Sequence, residues 1–445
     1  MSGLDIVLDE ADAPLTEPLT GTITGARPRS RVTLDTRFKD NRGEVWSSRS
    51  VFEADGAGSV RLGSTPSVSG DFIGADPAAL TASAKPKNAQ SRLKDILRGE
   101  DLTLMPDLGV LEPLEWTVSV TSDGAQAETK AIRRRLARTV RRHVLSEGLW
   151  GELYEPDSPN GVGVLVIGGS EGGLFPARAA LLASHGFTTM ALAYFAHKGR
   201  PDRAIDLPIE YFFSGLNALR ARPGVKHVAM LGVSRGSEAA QLTAISRPDL
   251  VDALILWVPS AHLNRGLDLS GGGDFRREET AMWARDGAPL IGVGFLERDI
   301  QAGEARHADF ATVSGRRYAD EFYRAWTQEG ADAFRIPLER YNKPVLAVAG
   351  AEDALWPADY GAHRIIEATT ASGSTASRTL ICPSAGHLIG TPNEPRPFPQ
   401  VMHWSGGYAG VDNGFCAYGG TAEGAAIAAQ LSWRETVDFL RAAYL

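Results

Sequence analysis

From about residue 150 to the end, the chain alternates between short runs that are apolar at every position and longer stretches apolar at helical spacing. VGVLVIG, TTMALAY, HVAMLGV, ALILWVP, PVLAVAG and TLICP read as strands, because a strand buried on both faces has no polar side to show. The pattern predicts strands over Val162–Ile167 and Thr188–Tyr194, helices over Ala177–Ser184 and Ile209–Ala221, and a closing helix over Ala422–Ala443. Such strands separated by helices assemble as a mostly parallel sheet with helices on both faces. Between Ala261 and Ile336 the rhythm breaks into a Gly- and Arg-rich, partly helical insertion.

The first 125 or so residues follow another rule. LTGTITG, SRVTLDTRF, VWSSRSVFEA, GSVRLG and LEWTVSVTS alternate apolar and polar positions and are separated by Gly, Pro, Asp and Asn clusters. Period-two alternation at this spacing predicts an antiparallel, immunoglobulin-like β-sandwich. Residues 75–105 interrupt it with polar, Ala-rich sequence and one short helix, Ala89–Leu97. A basic stretch, KAIRRRLARTVRRHV, follows; it reads as a strand and linker with solvated or ion-paired arginines, or as a contact for an anionic ligand. The expected domains are a sandwich over 1–135 and an α/β domain over 136–445, carrying the insertion 261–336.

Within the α/β part, VAMLGVSRGSEAAQLTA places Gly232-Val233-Ser234-Arg235-Gly236 between a strand and a helix. That is the pattern of a nucleophile elbow, in which a serine sits on a strained turn above a helix N-terminus. The motif is weak alone, since glycine makes up 48 of 445 residues and a second match occurs at Gly168-Gly169-Ser170-Glu171-Gly172. Order separates the two. In α/β-hydrolases an early strand ends in a glycine-rich loop that donates to an oxyanion, and the nucleophile strand comes later. Ser234 is therefore the candidate nucleophile, rather than a mere capping serine, and Ser170 belongs to the oxyanion loop. The same order asks for an acid and then a histidine after later strands. Asp353 follows PVLAVAG and His387 follows TLICPSAG, each just past the C-terminal end of an apolar strand. Glu352 is the alternative acid; His185, His197 and His262 precede or flank the wrong elements, His363 reads as a surface residue of a helix, and His403, in an irregular segment, as a hydrogen-bonding loop residue. The expected oxyanion donors are the backbone N–H of Arg235 and one from the Gly168–Gly173 loop, at Ser170 or Glu171. The insertion after ALILWVP lies where this fold often carries a lid.

Composition narrows the setting. Hydrophobic content of 43% and charged content of 22% fit a globular protein with a sizeable core. A net charge of −8 argues against a general nucleic-acid binder. Cys382 and Cys416 form neither a disulfide framework nor a zinc pattern, so no metal is expected. The acidic start MSGLDIVLDEADAP lacks a signal-peptide pattern, and no run of 18 apolar residues spans a membrane, so a cytoplasmic protein is expected. Oligomeric state is not legible.

With these residues in place, the chain resembles the type I acyl-CoA thioesterases and their relatives, the bile acid-CoA:amino acid N-acyltransferases. RVTLDTRFKDNRGEVWSSRSVFEADGAGSV is similar to that family's N-terminal sandwich, and GGSEGGLFPARAALLASHGFTTMALAYF to its oxyanion loop and following strand. GVSRGSE, with Glu238, is similar to its elbow; IPLERYNKPVLAVAGAEDALWP and CPSAGHLIGTP resemble its acid and histidine segments. GGTAEGAAIAAQLSW resembles its final signature, ending at Trp433. Two departures stand out. Glu352-Asp353 replaces the paired aspartates common in the family, and the oxyanion loop carries Ser170-Glu171 inside its glycine run. The resemblance implies an acyl-CoA substrate, no separate cofactor, and either of two reactions. Water can take the acyl group, giving a carboxylic acid and CoA, or an amine such as an amino acid can take it. The amide-forming relatives carry cysteine at the elbow, so Ser234 favours hydrolysis. An esterase of non-CoA substrates, or an inactive binding module, is the third reading. The phosphates of CoA would need a basic entrance, for which Arg265, Arg276 and Arg277, with Arg285, are the candidates.

Overall fold

The computed structural model describes residues 3–91, 105–266, 279–299, 301, 318–396, 401–404 and 414–444. It falls into two compact units. The first comprises Met1–Ala137, Gly390–Phe398 and Ala425–Trp433; the second comprises Arg138–Ile389, Pro399–Gly424 and Arg434–Leu445.

In the first unit, alternation builds two sheets. One orders Asp5–Leu8, Gly21–Thr24 and Val60–Leu62. The other orders Asp12–Pro14, Ala125–Arg134, Leu114–Ser122, Arg31–Lys39, Val45–Glu53 and Ser67–Gly70. Every second residue of Arg31–Lys39 is buried: Val32, Leu34, Thr36 and Phe38. Trp46 and Trp116 are buried on neighbouring strands, and Phe38 lies 4.7 Å from the Trp116 ring. The boundary falls after Ala137 rather than 135, and two late segments join this unit although their position in sequence assigns them to the second domain. Polar contacts explain the recruitment: Asn393 Nδ2 donates to the Leu15 carbonyl at 2.6 Å, and Arg135 pairs with Glu394 at 2.8 Å. The arginines of the basic stretch are engaged. Arg133 is buried and donates to the carbonyls of Glu10, Glu17 and Pro18, while Arg134 pairs with Asp12. The short helix expected from Ala89 begins there and from residue 92 lies outside the described residues.

In the second unit the strands are β1 Val140–Leu145, β2 Gly151–Pro156, β3 Val162–Ile167, β4 Thr188–Leu192, β5 His227–Val233, β6 Ala253–Trp257, β7 Val345–Gly350 and β8 Arg378–Cys382. Their order in the sheet is β1-β2-β4-β3-β5-β6-β7-β8. All pairs are parallel except those that β2 makes with β1 and β4. β3, β6 and β7 are buried at every position, as their uninterrupted apolar sequences require. The helices are α1 Pro176–Ser184, α2 Glu210–Arg220, α3 Arg235–Ser246, α4 Ala319–Thr327 and α5 Ala358–Ala371, with α6 Ala422–Tyr444, whose residues Ala425–Trp433 count with the first unit. The expected insertion holds α4 and a small hairpin, Trp283–Arg285 with Ala288–Leu290, whose first strand pairs with Leu207–Pro208. Among the described residues no helix is long and apolar enough to cross a membrane.

Candidate active site

Ser234 follows β5 and immediately precedes α3, at φ 53° and ψ −121°. A positive φ is costly for a residue with a Cβ, on the order of 1–3 kcal/mol, and persists only where its surroundings impose it. They do so here: a Cβ at Gly236 would lie 2.2 Å from the Gly168 carbonyl oxygen, so only glycine lets α3 start against the loop after β3. The turn lifts the serine side chain over the C-terminal edge of the sheet, where the loops after β7 and β8 begin.

Those loops deliver the partners. His387 Nε2 lies 2.9 Å from Ser234 Oγ, and His387 Nδ1 lies 2.7 Å from Asp353 Oδ2. Asp353 Oδ1 accepts backbone N–H bonds from Leu355 at 2.9 Å and Trp356 at 3.2 Å, which hold the carboxylate in place. The backbone N–H of His387 donates to the Tyr418 carbonyl at 2.7 Å. Trp356 stands edge-on to the imidazole with ring centroids 5.5 Å apart. Ser234, Asp353 and His387 are 6%, 6% and 4% exposed, so the three groups form one nearly buried line. Burial pushes the Asp353 carboxyl above the ordinary carboxylate range, and the imidazole and the two N–H donors hold it back. In chemical terms, an imidazole ready to accept the serine proton is backed by a carboxylate that receives its other N–H.

Of the residues expected to supply the oxyanion hole, Arg235 directly follows the serine. Arg235 opens α3, and the first N–H groups of a helix have no intrahelical acceptor. Gly169 packs on Ser234: a Cβ at Gly169 would sit 3.1 Å from the Ser234 Cβ. Ser170 and Glu171 continue from it in a turn, with Glu171 exposed. The Gly173 N–H, by contrast, is committed to the Phe195 carbonyl at 2.9 Å.

The competing residues are elsewhere. Glu352 is exposed, and its backbone N–H donates to Ala385 O at 2.9 Å. His363 is exposed on α5, with Nδ1 2.8 Å from the Asp359 carbonyl. His262 is buried with neither ring nitrogen hydrogen-bonded, stacked on Trp326, and His403 has no described side chain. Arg265 is mostly buried over Gly294 and pairs with Glu279 at 3.4 Å, while Arg285 is half-exposed; Arg276 and Arg277 lie outside the described residues. Sequence reasoning did not find Tyr194, whose hydroxyl donates to the carbonyls of Gly168 and Gly169 at 2.9 and 2.8 Å. It also missed Trp283 and Asn264, which donate at 2.9 Å each to the buried Glu238 carboxylate. Only the tyrosine left a signal, as the polar-tipped aromatic at the end of an apolar run.

An eight-stranded, mostly parallel sheet with helices between its strands and a nucleophile elbow defines an α/β-hydrolase enzyme of the serine-hydrolase type. Residues 16–149 match the acyl-CoA thioester hydrolase/BAAT N-terminal region, and residues 295–444 match the BAAT/acyl-CoA thioester hydrolase C-terminal region. The chain belongs to this acyl-CoA thioester hydrolase/BAAT family. It is 27% identical over 446 residues to acyl-coenzyme A amino acid N-acyltransferase 1 of Mus musculus, covering 98% of this chain and 97% of that one. It is 28% identical over 391 residues to acyl-coenzyme A thioesterase 6 of Mus musculus, covering 86% of this chain and 85% of that one. Among solved structures, a hormone-sensitive lipase from a metagenome library is similar at 14% identity, covering 69% of this chain and 87% of that one, with a TM-score of 0.37.

Proposed function

We propose that the protein hydrolyses acyl-CoA thioesters through an acyl-serine intermediate. The observation that carries this reading is the continuous contact from Ser234 Oγ through the His387 imidazole to Asp353. His387 Nε2 takes the proton as Ser234 Oγ attacks the thioester carbonyl carbon. The carbonyl oxygen becomes an oxyanion held by the N–H of Arg235 and an N–H of Ser170 or Glu171, each such donor contributing about 3 kcal/mol of transition-state stabilisation. The C–S bond then breaks, CoA leaves as its thiol with the proton from His387, and the acyl group remains on Ser234. Water, deprotonated by His387, repeats the attack and frees the carboxylic acid. Asp353 keeps the imidazole in the tautomer that can accept at Nε2 and stabilises its charged form. No metal or prosthetic group enters these steps.

Serine at the elbow supports water as the acceptor, because an oxygen ester is less open to an amine than a thioester is. Transfer to an amine is the second reading, supported by the full-length similarity to an amino acid N-acyltransferase. Thiol release from a panel of acyl-CoAs, short to long and branched, tests the main reading. Release that disappears in Ser234→Ala is expected, and undiminished release in that variant would overturn it. Mass analysis of products formed with glycine, taurine or another amine present separates the two readings: free acid alone supports hydrolysis, and an amide supports transfer.

A further inference from the structure

The two backbone groups that would bind the oxyanion come from separate segments, the loop after β3 and the first turn of α3. The structure braces both from behind with one buried polar and aromatic assembly. On the loop side, the Tyr194 hydroxyl, just past β4, reaches the carbonyls of both Gly168 and Gly169. On the helix side, the Arg235 guanidinium is buried. It donates to Glu238 Oε1 at 2.7 Å, to the Asn264 carbonyl at 3.1 Å and to the Arg265 carbonyl, and its Nε lies 3.2 Å from Met282 Sδ. Glu238 is completely buried and fully occupied: Oε1 also accepts from Asn264 Nδ2 and Oε2 from Trp283 Nε1, both at 2.9 Å. Trp283 closes the assembly, because its ring lies 5.6 Å from that of Tyr194. Asn264 Oδ1 in turn accepts from Trp326 of α4 at 2.7 Å.

A hydroxyl shared between two successive carbonyls fixes the peptide planes of the loop, and so the direction of the N–H groups that follow. An arginine held at three of its nitrogens likewise fixes the start of α3. A buried ion pair is a poor source of net stability, so the pair of Arg235 with Glu238 fits a role in fixing one arrangement. Resting on the serine-hydrolase reading above, we propose that Tyr194 and Glu238 are positioning residues that hold the two halves of the oxyanion hole in register, joined through Trp283. Neither touches substrate; each acts through a backbone N–H.

The test uses Tyr194→Phe, which removes one oxygen and keeps the ring, and Glu238→Gln, which keeps the shape and one acceptor. Steady-state turnover of an acyl-CoA is measured beside binding of a trifluoromethyl ketone thioether of CoA. That analogue gains Ser234 Oγ at its carbonyl carbon, passes the serine proton to His387 and places an oxyanion in the hole without losing a group. The expected result is a fall in kcat of about 10- to 100-fold, KM within threefold, and a matching loss of analogue affinity. Unchanged melting temperature in Tyr194→Phe accompanies it. Wild-type kcat in both variants, or lost kcat with full analogue affinity, overturns the positioning role while leaving the Ser234 reading intact. Undiminished turnover in Ser234→Ala overturns that reading and this one with it.

Discussion

Ser234 Oγ and His387 Nε2 stand 2.9 Å apart although 153 positions separate them in the chain. The sheet makes the contact. β5 and β8 are not neighbours, but both are parallel strands that end at the same edge, with β6 and β7 between them. The loop after β8 reaches back across that edge, and the backbone N–H of His387 anchors it to the Tyr418 carbonyl.

Asp353→Asn gives a sharp prediction about proton placement. Two backbone N–H groups already point at Oδ1, so the amide carbonyl must occupy that position and its NH2 must face His387 Nδ1. The imidazole would then carry its proton on Nε2 and could not accept one from the serine. kcat should fall about 10⁴-fold with KM little changed and the fold intact. Steady-state kinetics beside a circular-dichroism melt checks this, and a loss below tenfold would mean the carboxylate does not set the tautomer.

Strain at the elbow predicts an unusual stability effect. Ser234 is held at φ 53°, where glycine is at ease and a side chain is not. Ser234→Gly should be inactive yet more stable than Ser234→Ala by about 1 kcal/mol, read as a higher melting temperature. Equal melting temperatures would show that the turn stores no strain.

Much of the fold and of the site could be read from particular residues. Fully apolar runs announced β3 and β6 because burial on both faces forbids polar positions. Asp353 and His387 followed from strand order, since active-site loops of such sheets lie at one edge. β2 left no mark because GELYEP is polar, and the bounds of β1 were hidden within the basic stretch read as strand and linker, since it is an edge strand buried only at Val140. Tyr194, Asn264 and Trp283 could not be assigned either. Their partners are backbone carbonyls and a carboxylate brought close only by tertiary packing, which leaves no spacing to detect. The recruitment of Gly390–Phe398 to the first unit has the same cause, resting on single contacts such as that of Asn393 with Leu15.

The Glu171 carboxylate predicts charge selectivity. A Cβ at Gly169 would lie 2.7 Å from Glu171 Oε2 and 3.1 Å from the Ser234 Cβ, so carboxylate and serine are no more than about 6 Å apart. Acyl groups carrying a carboxylate near the thioester should be turned over poorly, and Glu171→Gln should raise their kcat/KM by about tenfold relative to neutral chains of equal length. A uniform change across both substrate types would contradict this.

Buried histidines predict acid sensitivity. Burial lowers the His262 imidazole to about 4, from an ordinary value near 6.5. The unfolded chain therefore gains this proton as pH falls below 6.5, and the folded chain gains it only near 4. Stability should fall across that window by up to about 1.4 kcal/mol per pH unit from this residue alone. Urea unfolding at pH 7, 6, 5 and 4.5 should show a shallower decline in His262→Phe than in the parent, and parallel curves would rule out the contribution.

The nucleophile itself can be seen directly. The protein is mixed with a slight excess of a good acyl-CoA substrate, quenched in acid within the first turnover, digested and read by mass spectrometry. The peptide containing Ser234 should carry the mass of the acyl group, Ser234→Ala should carry none, and Asp353→Asn should acquire it slowly. An acyl group found on another residue, or normal turnover with Ser234 replaced, would contradict the mechanism.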